Sequence, residues 1–503
     1  GKAAGFDLAI HRFKSYYPSQ NTGLAFARPF LFLFPSCRLG QNSSKLTTLI
    51  KTTSNRLESM RLKWILAASL FTAPSFADEY HYKNLLVGTK AIGLGGAFTA
   101  ISDDLSAVFY NPAGLTNTKS SNSASISTFA WEKSTYRDVF SNGDDFSRSS
   151  FNIVPSFLGI GDNKDGFYWS IGFAVSDMST ERNYAETEGP LLDQAGNTVG
   201  KLYEFGNIDL DNSSFDLALG AALEMTSNLS MGASLIFKYK NFETVQGSGV
   251  NTVINLPEID LYNGFTASRR IKDETIMMSP TFGILYHTDA YNVGVKFSKD
   301  FTVNRDFSAT HNIFVNSLEP LPPGTRPATI GTIRGTEQQD FADMISVGFA
   351  RKFGNLEWSF DIDYFSSVEV KEFSISDFHP PITRDIKQVT NYSSGVTYYT
   401  SSSSYFRFGI FTDNSNGEID TSQPYQRTED IDMLGVSFDY TSETFGFPMS
   451  IGAYVKYGEG DIRLSDIRVV ENIVGVPLYP PRSDFDISSA TKSLTVIFIS
   501  ANF

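Results

Sequence analysis

The connections between the strand-like segments of this chain alternate between long and short, and that alternation constrains the fold more than any motif. Two segments show the underlying period. "GFYWSIGFAVS" places Phe167, Trp169, Ile171, Phe173 and Val175 on one face, with Tyr168, Ser170, Gly172, Ala174 and Ser176 on the other. "SFDLALGAALE" repeats this with Phe215, Leu217, Leu219, Ala221 and Leu223 against Asp216, Ala218, Gly220, Ala222 and Glu224. Period-two alternation is the mark of a strand with one apolar and one polar or small face. Fourteen such segments follow, near 124–131, 151–160, 166–176, 213–224, 229–239, 279–287, 291–299, 343–353, 356–366, 393–400, 404–412, 431–440, 449–457 and 492–503. Every odd-numbered connection is long, roughly 18 to 43 residues, and every even one short, about 2 to 8, whereas loops beyond about 15 residues are uncommon in compact soluble domains. A membrane-spanning antiparallel barrel has this layout, with tight turns on one side, long loops on the other and an even strand number. The segment length of about ten residues also suits a tilted strand crossing a bilayer. The expected fold is therefore all-β, a transmembrane antiparallel β-barrel of about fourteen strands. A secreted sandwich or propeller would space its turn signals more evenly.

The front of the chain reads as an export signal. From Met60, "MRLKWILAASLFTAPSFADEY" gives a basic start at Arg61 and Lys63, an apolar core from Trp64 to Phe71 and a small-residue cleavage site at Ser75-Phe76-Ala77. That apolar core is too short to cross a bilayer as a helix. Residues 60–77 are accordingly expected to be a signal peptide, with Asp78 the first mature residue, and residues 1–59 an upstream segment outside the working protein. Residues 1–77 hold ten of the 41 basic residues and two of the 55 acidic ones, which leaves 31 and 53 beyond Ala77, a formal charge of −22. The single cysteine, Cys37, falls in the same front segment, so stability beyond it cannot rest on disulfides. Such acidity argues against a nucleic-acid partner. The 43 Phe and 23 Tyr of the chain suit the lipid face and interfacial girdles of a barrel. The last strand, "SLTVIFISANF", carries Ile497, Ile499 and Ala501 in register with Phe503, a terminal aromatic like that of bacterial outer-membrane barrels.

One stretch does not read as strand. "GLGGAFTAISDDLSAVFYNPAGL", Gly93 to Leu115, combines glycines, an acidic pair and Asn-Pro-Ala-Gly. Gly93, Gly95 and Gly96 permit close backbone approach to another surface. Ser102 is expected to cap a short helix whose first turn holds Asp103 and Asp104, and Phe98, Ile101, Leu105, Val108 and Phe109 recur at helical spacing. Pro112 ends that helix by Tyr110, and Asn111, Pro112, Ala113 and Gly114 fit a type I turn. A phosphate loop is disfavoured, since no buried strand precedes the stretch and neither nucleotide-binding glycine pattern is present.

In this context the chain resembles the FadL family, bacterial outer-membrane transporters of long-chain fatty acids and related hydrophobic compounds, aromatic hydrocarbons among them. The resemblance spans about 78–503; its most specific motif is the Gly93–Leu115 stretch, and "YFRFGIFTDNSN" at 405–416 is similar to a late strand of the family. It implies that residues 78–120 form a hatch inside the lumen of a barrel made by 121–503, with Asn111, Pro112 and Ala113 carrying the hatch motif. It further implies that cargo moves from the lipopolysaccharide-covered surface to an apolar pocket by the hatch and leaves sideways near the third strand. A wide barrel needs such a plug if it is not to leak. Phe98, Ile101 and Phe109 are the expected apolar ligand contacts, and Gly172 is the residue expected to weaken the wall at the lateral opening. The partners implied are hydrophobic small molecules, outer-membrane lipid and lipopolysaccharide, and the barrel-assembly machinery acting on the strand that ends at Phe503.

A diffusion porin for polar solutes would share the barrel without needing a hatch. An enzyme would need a nucleophile and base, yet beyond Ala77 there are four histidines (His81, His287, His311, His379) and no Gly-x-Ser-x-Gly or His-Glu-x-x-His. No cofactor is expected. "DNSNGEID" at 413–420 hints at calcium, but its glycine falls one place early for an EF-hand loop, and a solvated outer loop is expected instead. A fatty-acid carboxylate would call for a cation, for which Arg269, Arg270, Lys272 and Lys296 are candidates; an aromatic hydrocarbon would not.

Overall fold

In the computed structural model, residues 80–118, 122–137, 145–192, 198–255, 260–316, 328–336, 338–371, 383–419, 428–444, 447–463 and 487–502 are described. The expected signal segment, Cys37 and Phe503 lie outside them.

Alternation sets the wall. On the strand Asp260–His287, Phe282, Ile284 and Tyr286 are exposed while Ser279, Thr281 and Leu285 are buried. On Leu356–Phe365, Ile362 and Tyr364 face out and Asp361 and Asp363 face in. Apolar side chains outside and polar ones inside is the inverse of a soluble sheet and matches a barrel in lipid. Tyr286, Tyr291, Phe349 and Trp358 form a chain of ring contacts at the short-turn end, where an interfacial girdle belongs.

Among the described residues nineteen strands form, in chain order β1 Asn122–Tyr136, β2 Phe146–Lys164, β3 Phe167–Leu192, β4 Thr198–Thr226, β5 Leu229–Asn255, β6 Asp260–His287, β7 Tyr291–Lys299, β8 Phe301–Asn316, β9 Ala328–Gly335, β10 Asp343–Phe353, β11 Leu356–Phe365, β12 Val368–Lys371, β13 Thr383–Ile386, β14 Val389–Tyr399, β15 Ser404–Asp413, β16 Thr428–Asp430, β17 Met433–Thr444, β18 Phe447–Arg463 and β19 Ser488–Asn502. Antiparallel pairing runs β1–β2–β3–β4–β5–β6–β7–β10–β11–β14–β15–β17–β18–β19 and returns to β1 through Ser123↔Asn502 to Tyr136↔Ala490. This ring of fourteen contains every strand expected from the sequence. Beyond Asp300, β8 takes over from β7 along β6 and carries β9, while β16 continues the line of β17 along β18. β12 and β13 make a separate hairpin.

The long connections differ from expectation. β3 to β6 are 26, 29, 27 and 28 residues long, far beyond the ten or so that cross a bilayer. The described parts of segments 177–212 and 240–278 continue the strands as ladders that climb to Leu192↔Thr198 and Asn255↔Asp260. Above the bilayer neither face must be apolar, so the hydrophobic period fades while the backbone ladder continues.

Residues 80–118 lie inside the ring. The segment starts at Tyr80, whose carbonyl accepts Asn416 N–H at 2.8 Å beyond the far end of β15, and descends towards the short turns. It contains the helical turns Thr89–Gly93 and Ala107–Tyr110 and a 3-10 helix at Pro112–Asn117. Its apolar side chains pack onto the wall in several clusters, such as Leu86 and Ile92 with Phe411, Tyr454 and Phe498.

Candidate functional site

The seat of the hatch is built from glycine. Four pairs face each other across neighbouring strands: Gly159–Gly172, Gly232–Gly283, Gly294–Gly348 and Gly395–Gly409. A Cβ at Gly232 would strike Pro112 and Ala113, at Gly283 Asn111, at Gly294 Thr99, at Gly395 Leu94, and at Gly409 Gly95. The missing side chains let hatch backbone lie directly on wall backbone.

Asn111 fastens this seat. Its Oδ1 accepts Ala113 N–H at 3.2 Å, while its Nδ2 donates to Thr99 O at 2.9 Å and to Ile284 O on β6 at 3.1 Å. Pro112 opens the following helix, and Gly114 N–H closes the expected turn on Asn111 O at 2.9 Å. Asn111, Pro112, Ala113 and Gly114 are all buried. Gly114 sits so close to Ser102 that a Cβ there would overlap the Ser102 carbonyl.

The expected helix from Ser102 is corrected. Ser102 has φ 36, and its Oγ donates to Phe98 O at 2.8 Å instead of capping. The helical turn begins at Ala107, after Ser106, whose N–H and hydroxyl both donate to Asp104. Left-handed Gly95 and Gly96 and the contact with Gly114 wind this stretch around the wall, so contact overrides helical propensity. Burial pushes the Asp104 carboxyl and the Tyr110 phenol above their ordinary values. Burial opposes the charge of Lys90, yet Asp103, 2.7 Å away, and Glu357 hold its pKa above the usual range for lysine.

Polar anchors complete the seat, and sequence reasoning passed over them. Asp361 Oδ2 accepts Phe98 N–H at 2.8 Å and Thr99 N–H at 2.7 Å. Arg407 is fully buried and grips Asp439 with two bonds, Nε–Oδ1 at 2.7 Å and Nη2–Oδ2 at 2.6 Å, beneath Gly93. Lys83 pairs with Asp363 at 2.7 Å, and Lys456 pairs with Asp413 at 2.7 Å. Their signal was available: each wall residue is a charge at an inward position of an alternating strand.

Of the expected ligand contacts, Phe98 (0% exposed) and Ile101 (3%) pack with Ala91, Leu94, Ala100 and Ala350, so both fill the hatch–wall core. Phe109 is half-buried and meets Phe157 of β2 edge-on, ring centroids 6.1 Å apart. Gly172 lies beside both: a Cβ there would press on Phe157, Val108 and Phe109. The ladder through Gly172 itself is intact, to Gly159 on one side and Ala218 on the other. It stops two rungs higher. Among the described residues β2 and β3 pair only from Lys164↔Phe167 to Phe157↔Ala174; above, β2 pairs with β1 and β3 with β4. Each strand carries an extra residue at that level, Ser156 in the register against β1 and Ser176 in the register against β4. A bulge bends its strand and breaks pairing. The wall therefore has a seam whose lower lip is Phe157, packed with Val87 and Leu105 of the hatch and Ala174.

Of the candidate cations, Arg270 pairs with Glu243 and Lys272 with Glu274, both on the outer sheet, while the Arg269 side chain lies outside the described set. Lys296 points inward, 6% exposed, with Phe109 O at 3.5 Å its hydrogen-bond partner and no carboxylate within 4.0 Å among the described residues. Asn414 departs from the expected solvated loop: it is half-buried, Ser415 and Asn416 are buried, and the stretch is held by Asn391, Thr390, Asp432 and Glu429.

Solved structures share this architecture. A Pseudomonas aeruginosa FadL homologue matches 85% of this chain and 99% of its own at 13% identity, with a TM-score of 0.54. The P. putida toluene transporter TodX matches 82% and 97%, at 13% identity and a TM-score of 0.51. No family model and no curated protein matches the chain. The chain thus has the FadL-type fold, an antiparallel fourteen-stranded barrel closed around an N-terminal hatch.

Proposed function

We propose that this protein carries hydrophobic small molecules, long-chain fatty acids or related hydrocarbons, across the bacterial outer membrane. In this reading, cargo passes the hatch beside Phe109 and leaves through the seam above Phe157 and Ala174 into the membrane. The observation that supports it best is the coincidence of two features: the ladder between β2 and β3 ends where an apolar hatch cluster lies behind the wall. An apolar solute that reaches this point meets lipid, not water. The hatch, seated on glycines around the ring, blocks the direct route, which a porin would leave open. Lys296, a buried cation beside the Phe109 carbonyl that shares the charge of Asp363 with Lys83, favours an acid over a neutral arene as cargo, because a carboxylate would add the direct ion pair it lacks. The outer rim would meet lipopolysaccharide, and the last strand would engage the assembly machinery.

The test is paired uptake. Cells lacking other routes, expressing the protein, should take up a labelled long-chain acid, while vesicles containing it should not swell in sugars. Swelling without acid uptake would mean a porin. Lys296→Met should lower uptake of the acid more than that of toluene; equal effects would remove the preference for acids.

A further inference from the structure

Proline cannot donate to a ladder, so within a sheet it belongs at an edge, at the start of a strand or at a bulge. Among the described residues four prolines lie in wall strands: Pro155 on β2, Pro190 on β3, Pro280 on β6 and Pro448 on β18. Each has a rung on one side. Pro155 faces Ile126 of β1, Pro190 faces Lys201 of β4, Pro280 faces Leu235 of β5 and Pro448 faces Glu443 of β17. On the other side of each, the described residues give no rung.

Antiparallel rungs alternate between pairs that exchange two N–H···O bonds and pairs that exchange none. Proline can hold only the second kind, whose backbone groups point away from the partner strand. The nitrogen of Pro155 therefore points away from β1, to the side on which β3 would have to join. The last rung between β2 and β3 is Phe157↔Ala174, and in a continued register Pro155 would face Ser176, the extra residue of β3. A donor is thus missing, for a covalent reason, at the level of the bulge.

Pro280 shows what proline does where no bulge accompanies it. The ladder along β6 is broken opposite Lys299 and Asp300, between Thr281↔Ser298 and Met278↔Phe301. It resumes in the same register, because neither side gains a residue across the break. At Pro155 both strands gain one, Ser156 and Ser176, and β2 and β3 do not rejoin among the described residues. Proline interrupts the pairing, and the bulges keep it from resuming.

We infer that Pro155 is a positioning residue: by withholding a backbone donor opposite the Ser176 bulge, it ends the ladder between β2 and β3 and keeps the seam open. The inference rests on the lateral route proposed above only for its effect on transport.

Cysteine pairs separate the two questions. Phe151 and Thr180 are the residues that a continued Phe157↔Ala174 register would bring opposite each other. Ile160 and Ile171 already pair below the lip and serve as the control. In the otherwise native chain, the 160/171 pair should oxidise and the 151/180 pair should stay reduced. Pro155→Val restores an N–H and should raise 151/180 oxidation about fivefold, the effect of one added backbone hydrogen bond. Without the cysteines, the same substitution should lower acid uptake. Pro280→Val, at the break without bulges, should leave 151/180 reduced. If Pro155→Val does not assemble, Pro155→Ala supplies the same N–H with a smaller side chain. Unchanged 151/180 oxidation in an assembled variant whose control pair oxidises would overturn the inference, since the bulges alone would then hold the seam. Raised oxidation with undiminished acid uptake would leave Pro155 as the end of the ladder and remove the lateral route.

Discussion

Asn111 of the hatch donates one amide hydrogen bond to Thr99 O within the hatch and another to Ile284 O on the wall, so a single side chain ties loop to loop and plug to barrel. The Thr99 carbonyl and the Asn111 side chain both lie over glycine. Gly283 and Gly232 face each other beneath the Asn111–Ala113 turn, and Gly294 and Gly348 face each other beneath Thr99. The hatch is a floor laid on wall backbone.

Replacing both Asn111 and Pro112 by Ala should leave the barrel folded, because wall ladders do not use hatch groups. Two buried carbonyls lose a donor, at about 1–3 kcal/mol each. The hatch should loosen, become sensitive to protease in purified protein, and stop supporting acid uptake. Normal uptake with normal protease resistance would reduce the motif to a connector.

Gly283→Val tests the seat from the wall. Valine suits a strand, so the barrel should still show its heat-dependent gel shift, but the new side chain occupies the place of Asn111. Small polar antibiotics should then enter. Gly354→Ala, in an open turn, should cause no leak.

Arg407 and Asp439 give a stability prediction. Arg407→Leu leaves a buried carboxylate unpaired and should cost about 3–5 kcal/mol in urea-unfolding experiments. Pairing it with Asp439→Leu should recover much of that loss. If the double variant were no better than Arg407→Leu, the charge pair would not be what fails.

A tag inserted after Gly189 should bind antibody on intact cells, whereas tags at Gly166 or Asn414 should not. Gly166 lies in a short turn, and Asn414 is half-buried by its bonds to Asn391 and Thr390. Surface labelling at Gly166 would invert the topology.

Much of this architecture is legible in the residues. Alternation in Phe167–Val175 and Phe215–Leu223 marks wall strands because lipid outside and a polar lumen inside impose opposite chemistry on successive side chains. The upper halves of β3 to β6 escape such a reading, since outside the bilayer neither face is forced to be apolar. Asn111 to Gly114 could be read because turn chemistry is local. Ser102 could not, because its left-handed backbone is set by Gly114 and the wall. Phe98 and Phe109 look alike in the sequence, and only the surrounding wall makes one a core residue and the other half-open.

The most direct measurement of the lateral route is uptake with the seam bridged. Cysteines at Phe151 and Thr180, joined by a linker that reduction cleaves, should abolish uptake of a labelled long-chain acid, and reduction should restore it, with the barrel folded throughout. Equal uptake in bridged and cleaved protein would contradict passage through the seam.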